Sequence, residues 1–502
     1  MSLETKTADA RDIESLNKPD DSAHGAYNAT TLKDADDLDE DGHVKRTGNW
    51  FTAGAHIITA VIGSGVLSLA WAISTMGWAA GPLILFLFAI ITWYMSLLLA
   101  DAYRHPKDTG KRNYTYPGAV SAILGGKYVW FCGFIQYLNL VGTGIGYTVT
   151  AGLCMTAVRR SNCFHEHQYE LVETDGGDGS LLCHVSNNPF MLIFGAFQIL
   201  LSQIPDFDRL WFLSVLAAVM SISYSTIGLG LAIGKTTEDG HSTGSVKGYT
   251  ATTAQKTWDV LNGLGTMAFA YSFSFVLVEI QDTIKRPSKG SEAHQMKKGT
   301  TLAIFVTTSF YLAVGCIGYG GFGDDAPGNL LTGFGFFNPY WLVDIANVFV
   351  MVHLVGAYQV FTQPWFAFVE ATTYKYAPKS FFFHKAFAIR IPGIGTLRLT
   401  LYKLIWRTLY VCFTTVIAML VPFFNDVVGL LGSLGFWPLT VFLPIQMHIA
   451  QTASWRQYRM LACWACLRQG GHSRAEVTSS SCHQSQMQQS LGTIGCMKKF
   501  KC

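Results

Sequence analysis

The chain has 502 residues, half of them apolar and only 14% charged, and a formal net charge of +3. Soluble domains carry about 25% charged residues, so this composition excludes an ordinary soluble protein of this length. The small net charge excludes nothing, because the charges are spread unevenly among the segments between apolar runs.

The first 46 residues hold twelve acidic and six basic side chains and no apolar run. They read as an acidic, disordered cytoplasmic tail and not as a cleavable signal peptide. Residues 51–72, 80–100, 128–158, 210–234, 299–323 and 345–369 then each run without Asp, Glu, Lys or Arg. Shorter uncharged runs occupy 189–204, 260–278, 408–425 and 427–447. A helix needs roughly 20 apolar residues to cross ~30 Å of hydrocarbon, and buried soluble helices rarely hold such runs. The ten runs predict an all-α polytopic membrane protein with its transmembrane domain over 47–450. Beyond residue 451 the longest apolar stretch, Met460 to Leu467, is too short to cross, and 451–502 reads as a polar cytoplasmic tail containing Cys, Ser and Gln.

Lys and Arg collect on the cytoplasmic side of membrane proteins. With the N-terminus inside, the cytoplasmic segments hold twenty Lys or Arg and the external loops five: Arg159, Arg160, Lys235, Lys247 and Lys256. This asymmetry places the N-terminus in the cytoplasm. Cys163 and Cys183 then share an external loop, where disulfides persist, so a bridge between them is expected; two unpaired thiols are the alternative. Cys132, Cys154, Cys316 and Cys412 fall within spans and read as small packing residues.

The ten runs divide into two sets of five, 51–234 and 260–447. Five is odd, so the second set enters from the opposite side, and any repeat between the halves is inverted. The first span holds Gly63-Ser64-Gly65 at its middle, and the sixth holds Ala270-Tyr271-Ser272-Phe273-Ser274 at a similar depth. Paired interruptions in corresponding helices point to a transporter's binding site. Small residues also let helices pack closely, and Gly142 and Gly146 in the third span read that way.

Several strings in collinear order carry a family resemblance: AHIITAVIGSGVLSLAWA (55–72), CGFIQYLNLVGTGIGYT (132–148), FAYSFSFVLVEIQDT (269–283), FGDDAPGNLLTGFGFFNPYW (322–341) and VHLVGAYQVFTQP (352–364). From about residue 44 to about 451 the chain resembles the plant-type amino acid permeases of the amino acid/auxin permease family. The resemblance implies a five-plus-five inverted-repeat fold with interrupted first and sixth helices. It also implies proton-driven secondary active import of amino acids across the plasma membrane. The partners implied are a small amino acid substrate and the lipid bilayer, with no nucleic acid, and no cofactor beyond the co-transported proton. Members of the family continue into an eleventh span, which residues 451–502 do not show.

An amino acid presents a carboxylate and an ammonium, each needing a partner away from bulk water. Gly63, Ser64 and Gly65 cannot all satisfy their N–H groups by helical bonding, and those donors suit the carboxylate. By analogy with other inverted-repeat transporters, the stretch from Ala270 would offer carbonyl oxygens to the ammonium, with Tyr271 and Ser272 lining the pocket. Asn139 and Tyr137 are further candidates, although Asn139 also suits an interhelical hydrogen bond. Proton coupling needs a titratable group within the membrane, and His56, His353 and Glu279 are the candidates. Their alternatives are neutral histidines held by hydrogen bonds, and a Glu279 that reaches the cytoplasmic interface.

No nucleophile–base arrangement is apparent, so no enzyme activity is expected. Cys463-x-x-Cys466 lacks a second spaced pair, so no metal site is expected either. Sodium-coupled or facilitative amino acid transport and non-transporting amino acid reception remain the competing functions.

Overall fold

The computed structural model describes residues 46–106, 110–166, 185–204, 211–238, 240–287, 290–333, 339–376, 386–391 and 395–453. Residues 1–45 and 454–502 of the expected tails, Cys183 and the Cys463/Cys466 pair lie outside these residues.

Helix α1 (Trp50–Val61) begins at Asn49, whose side chain accepts from the N–H groups of Phe51 and Thr52 while Thr52 returns a bond to Asn49. This reciprocal cap satisfies donors that the apolar helix cannot. A 3-10 turn (Ser64–Ser68) and α2 (Leu69–Ser74) continue the first span after a 50° bend. Then follow α3 (Gly77–Asp101), a short hairpin of β1 (Arg104–His105) and β2 (Lys111–Arg112), α4 (Tyr116–Ile123) and the long α5 (Gly126–Glu166). Helices α6 (Asn188–Ser202) and α7 (Trp211–Glu238) complete the first half.

The second half starts with α8 (Thr253–Ala270) and α9 (Ser274–Asp282), separated by three non-helical residues. It continues with α10 (Glu292–Phe322), a short α11 (Leu330–Gly333), α12 (Tyr340–Tyr376), the strands β3 (Ala386–Ile391) and β4 (Gly395–Thr400), α13 (Leu401–Leu420) and α14 (Phe424–Gly435). A π-helical stretch, Phe436–Phe442, carries α14 onward through Pro438. The strands correct the all-α expectation. Outside hydrocarbon the backbone is free to pair between strands, whereas within it the helix and the closed barrel are the available spanning solutions.

Among the described residues, eight helices are long and apolar enough to cross a membrane, and the bent pair Trp50–Val61 and Ser64–Ser74 makes a ninth. Large apolar side chains such as Leu83, Phe86 and Ile90 on α3 point outward, Leu83 with 59% of its surface exposed. Water would not tolerate such a face, and a bilayer favours it. The run predicted over 189–204 forms the 15-residue α6, about 22 Å long and shorter than a full crossing.

A buried cation ends α6. Arg407 on α13 donates to the carbonyls of Ser202 at 2.7 Å and Ile204 at 3.3 Å. Glu370 on α12 holds that guanidinium at 2.7 Å, and Lys403 reaches the second carboxylate oxygen at 3.1 Å. The arginine therefore takes carbonyls that a longer helix would have carried to water.

The helices close through small residues. A Cβ on Gly432 of α14 would stand 1.8 Å from the carbonyl of Gly265 on α8, so the two backbones approach to a distance only glycine permits. Gly142 lies against Leu431 in the same way, which agrees with its reading as a packing residue.

Breaking the Arg407 cap should destabilise the helix bundle. We expect Arg407→Gln to cost about 3 kcal/mol, the usual result of leaving a buried carboxylate short of its partner. The thermal midpoint of the purified protein in detergent should fall, and adding Glu370→Gln should recover part of the loss.

Candidate functional site

The two helix breaks meet. Gly63 is extended (φ −125°, ψ −156°) and leads into the 3-10 turn. Its own N–H reaches back to Val61, and the N–H of Val66 bonds to Gly63. Between them the N–H groups of Ser64 and Gly65 have no protein acceptor among the described residues. A Cβ on Gly65 would lie 3.3 Å from the Cα of Ala270, so the first break packs directly on the second.

Tyr311, from the middle of α10, joins them. Its hydroxyl lies 2.5 Å from the carbonyl of Val61, where α1 ends, and 3.1 Å from that of Ala270, where α8 ends. One hydroxyl proton thus serves two carbonyls that lost their helical partners. Ala270 was expected to hold its carbonyl open, and instead it faces this hydroxyl.

The hydroxyls of Tyr271 and Ser272 both have protein partners. The Tyr271 ring is fully buried, edge-on to Tyr311 with centroids 5.2 Å apart, and its hydroxyl donates to Thr308 at 3.3 Å. The Ser272 hydroxyl donates to the Ala268 carbonyl of its own helix at 2.8 Å. Asn139 is committed elsewhere, its amide donating to the Leu431 carbonyl of α14 at 2.9 Å. Tyr137 stacks on Phe368 and meets Trp365 at a tilt of 52°.

The titratable candidates separate sharply. His353, on α12, is buried, and its Nδ1 lies 2.8 Å from the Ala217 carbonyl. A carbonyl can only accept, so Nδ1 carries the proton and Nε2 is left with its lone pair. That Nε2 is buried with no partner, and it is the nearest atom, at 3.9 Å, to a Cβ built on Gly63. His56 sits on the exposed face of α1 beside Ala55, turned away from Ala53 and Ile57, which are buried. Its seven-residue spacing from Gly63 does not carry it to the break, because the helix ends at Val61. Glu279 turns inward: one carboxylate oxygen accepts from the N–H of Tyr116, the first residue of α4, at 3.3 Å, and the other is buried without a partner.

At the end of the bundle that carries Arg46, charges tie the broken spans together. Glu292 takes Arg104 at 2.7 Å and Arg46 at 3.4 Å, while Asp282 accepts from Tyr103 at 2.5 Å and pairs with Arg112 at 3.4 Å. Burial raises the Tyr103 hydroxyl well above its ordinary range, and the Asp282 carboxylate raises it further, so it stays a donor. Beneath these pairs, Gly48 donates to Thr283 at 3.1 Å and accepts from Lys285 at 2.8 Å. The segment before α1 is therefore bonded to the segment after α9, just as the two breaks are bonded through Tyr311.

Cys163 is disulfide-bonded; its expected partner Cys183 lies outside the described residues. Cys132, Cys154, Cys316 and Cys412 are free thiols. Among the described residues, no three His, Cys, Asp or Glu side chains stand together to hold a metal ion.

Residues 46–469 match the model of the family described as transmembrane amino acid transporter protein. The chain belongs to that family. It is 54% identical to amino acid permease 3 of Arabidopsis thaliana over 435 residues, covering 86% of this chain and 88% of the relative. Amino acid permease 2 of the same plant is 53% identical over 436 residues, or 86% and 85% of the two chains. A more distant relative, lysine histidine transporter-like 4, is 31% identical over 406 residues, or 80% and 81%. These relatives are transporters and not enzymes, and the resemblance read from the residues alone is that same family.

Tyr311 went unnoticed in the sequence, because a tyrosine in an apolar run carries no local mark of the two carbonyls it serves. Removing its hydroxyl should loosen both breaks. We expect Tyr311→Phe to lower stability by about 1–3 kcal/mol, the cost of stranding buried acceptors. Amide hydrogen exchange should rise in 62–66 and 271–276 with little change in α5 and α13, and uniform exchange across the chain would exclude the bridging role.

Proposed function

We propose that this chain imports amino acids across the plasma membrane by proton symport with alternating access, on a five-plus-five inverted-repeat fold whose N-terminus is cytoplasmic. The observation that carries this reading is the junction of the two breaks. Unaccepted N–H groups at Ser64 and Gly65 stand beside the lone pair of a buried histidine. Of the three relatives described above, two are named amino acid permeases and one lysine histidine transporter-like, which supports the substrate class.

In this reading the substrate carboxylate binds the donors of Ser64 and Gly65, at the positive end of the half-helix that follows. The His353 Nε2 takes the co-transported proton. Protonation places a positive charge and a new N–H donor at the break, close to where the carboxylate sits, so proton and substrate favour one another's binding. The ion pairs of Glu292 and Asp282 close the Arg46 end and have to part for substrate to leave there. Glu279, inward-facing with one free oxygen, is a second proton carrier on the way to that end.

Sodium coupling is the competing reading, and one experiment separates the two. In cells expressing the full chain, amino acid uptake or inward current is measured at several external pH values without sodium. Proton symport requires uptake to continue and to rise as external pH falls; uptake that vanishes without sodium overturns it. His353→Ala should flatten the pH dependence, whereas His56→Ala, on the exposed face of α1, should preserve it. An unchanged profile in His353→Ala removes that residue from coupling.

A further inference from the structure

A cavity of about 380 Å³ opens at the end of the bundle opposite Arg46, separate from the junction of the breaks. Its walls come from Trp71 on α2, Leu153 on α5, Asn329 and Thr332 beside α11, and the first turn of α14, where Phe424 and Asp426 lie. Trp71 follows Gly65 by six residues, which places the cavity roughly 10 Å beyond the break.

The lining is divided by chemistry. Trp71, Leu153 and Phe424 form an apolar wall, and Asn329, Thr332, Asn425 and Asp426 form a polar one. Asp426 is held by a neutral donor alone, the amide of Asn262 at 2.5 Å, and among the described residues no Lys, Arg or His is paired with it. Lys256, a cation carried on the neighbouring α8, is turned to the carbonyls of Lys247 and Tyr249 instead. The side-chain oxygen of Asn425 is buried without a partner. The cavity therefore presents one exposed carboxylate, in the first turn of α14, opposite an aromatic surface. Its volume lies at the small end of the range for organic ligands.

We propose that this cavity is an outer selectivity site that receives an α-amino acid before it reaches the breaks. Asp426 accepts the ammonium, and Trp71 and Phe424 cover the side chain. The site takes amino acids with neutral or cationic side chains in preference to anionic ones, because a second carboxylate meets the charge of Asp426, with which no Lys, Arg or His is paired among the described residues. This proposal rests on the amino acid transport reading above and adds to it the charge class of the substrate.

The test uses the full chain in cells lacking their own amino acid uptake, with surface protein counted through a tag. KM values for lysine, glutamine and glutamate are measured for the native chain, Asp426→Asn, Asp426→Glu and Asn329→Asp. Asp426→Asn keeps the shape and the bond to Asn262 but loses the charge. It should raise the KM for lysine about fivefold, the worth of one contact between charges in wet surroundings, and leave that for glutamate level or lower. Asp426→Glu should retain the native preference. Asn329→Asp adds a carboxylate to the same cavity and should shift the lysine-to-glutamate preference the other way. A structural role alone would change surface amount or Vmax without moving that ratio. A ratio within about twofold of the native one in both Asp426→Asn and Asn329→Asp overturns the outer site, since contact charges are worth more than that. A native chain that takes up no amino acid at all overturns the transport reading first.

Discussion

A helix cannot be interrupted inside hydrocarbon unless something takes its orphaned carbonyls, because no water is present to do so. In this protein one hydroxyl meets that demand for two helices at once. Tyr311 stands between the carbonyls of Val61 and Ala270. The consequence is asymmetric. The acceptors at the broken ends are served by protein, while the donors of Ser64 and Gly65 are left for something else. A site built this way is suited to an anion, and a substrate carboxylate is one.

The same logic recurs away from the breaks. Helix α6 stops short, and Arg407 takes its last carbonyls, held in place by Glu370. Glu279 serves the first N–H of α4. Arg407 and Glu279 are thus each paired with the end of a helix, where the backbone carries partial charge of the opposite sign. His353 departs from this pattern on one side only. Its Nδ1 is fixed by Ala217, and its Nε2 faces Gly63 with no protein partner. A buried base with one nitrogen held and one free, beside unused donors, is the arrangement a coupled proton and carboxylate would need. At the Arg46 end the segments flanking these same broken spans are bonded to each other through Gly48, Thr283 and Lys285, and Arg46 and Asp282 at their ends pair with Glu292 and Arg112.

Much of this was legible in the residues. The uncharged runs located the helices, and the Gly63-Ser64-Gly65 and Ala270–Ser274 stretches marked both breaks, because small and hydroxyl residues recur there at a similar depth in two corresponding spans. His353 was legible as an ionisable group in an apolar run. Its orientation was not, and neither was that of His56 on a helix that stops at Val61. Asn139 suits an interhelical hydrogen bond better than a substrate contact, and its amide makes such a bond to Leu431. The β3–β4 hairpin was missed because spans were sought by apolar length, and its alternating residues lie between two of them.

The sequence by itself determined that the chain crosses a membrane many times, where two of its helices break, and to which family it belongs. These properties are written in local composition and collinear strings. The tertiary structure alone decided that the two breaks touch, that Tyr311 bridges them, that one histidine faces the gap while the other faces outward, and that Asp426, bonded to Asn262, lines a cavity with Trp71. Each depends on which side chains from distant helices arrive at one point, and spacing along a single helix fixes a direction from its axis without fixing what lies there.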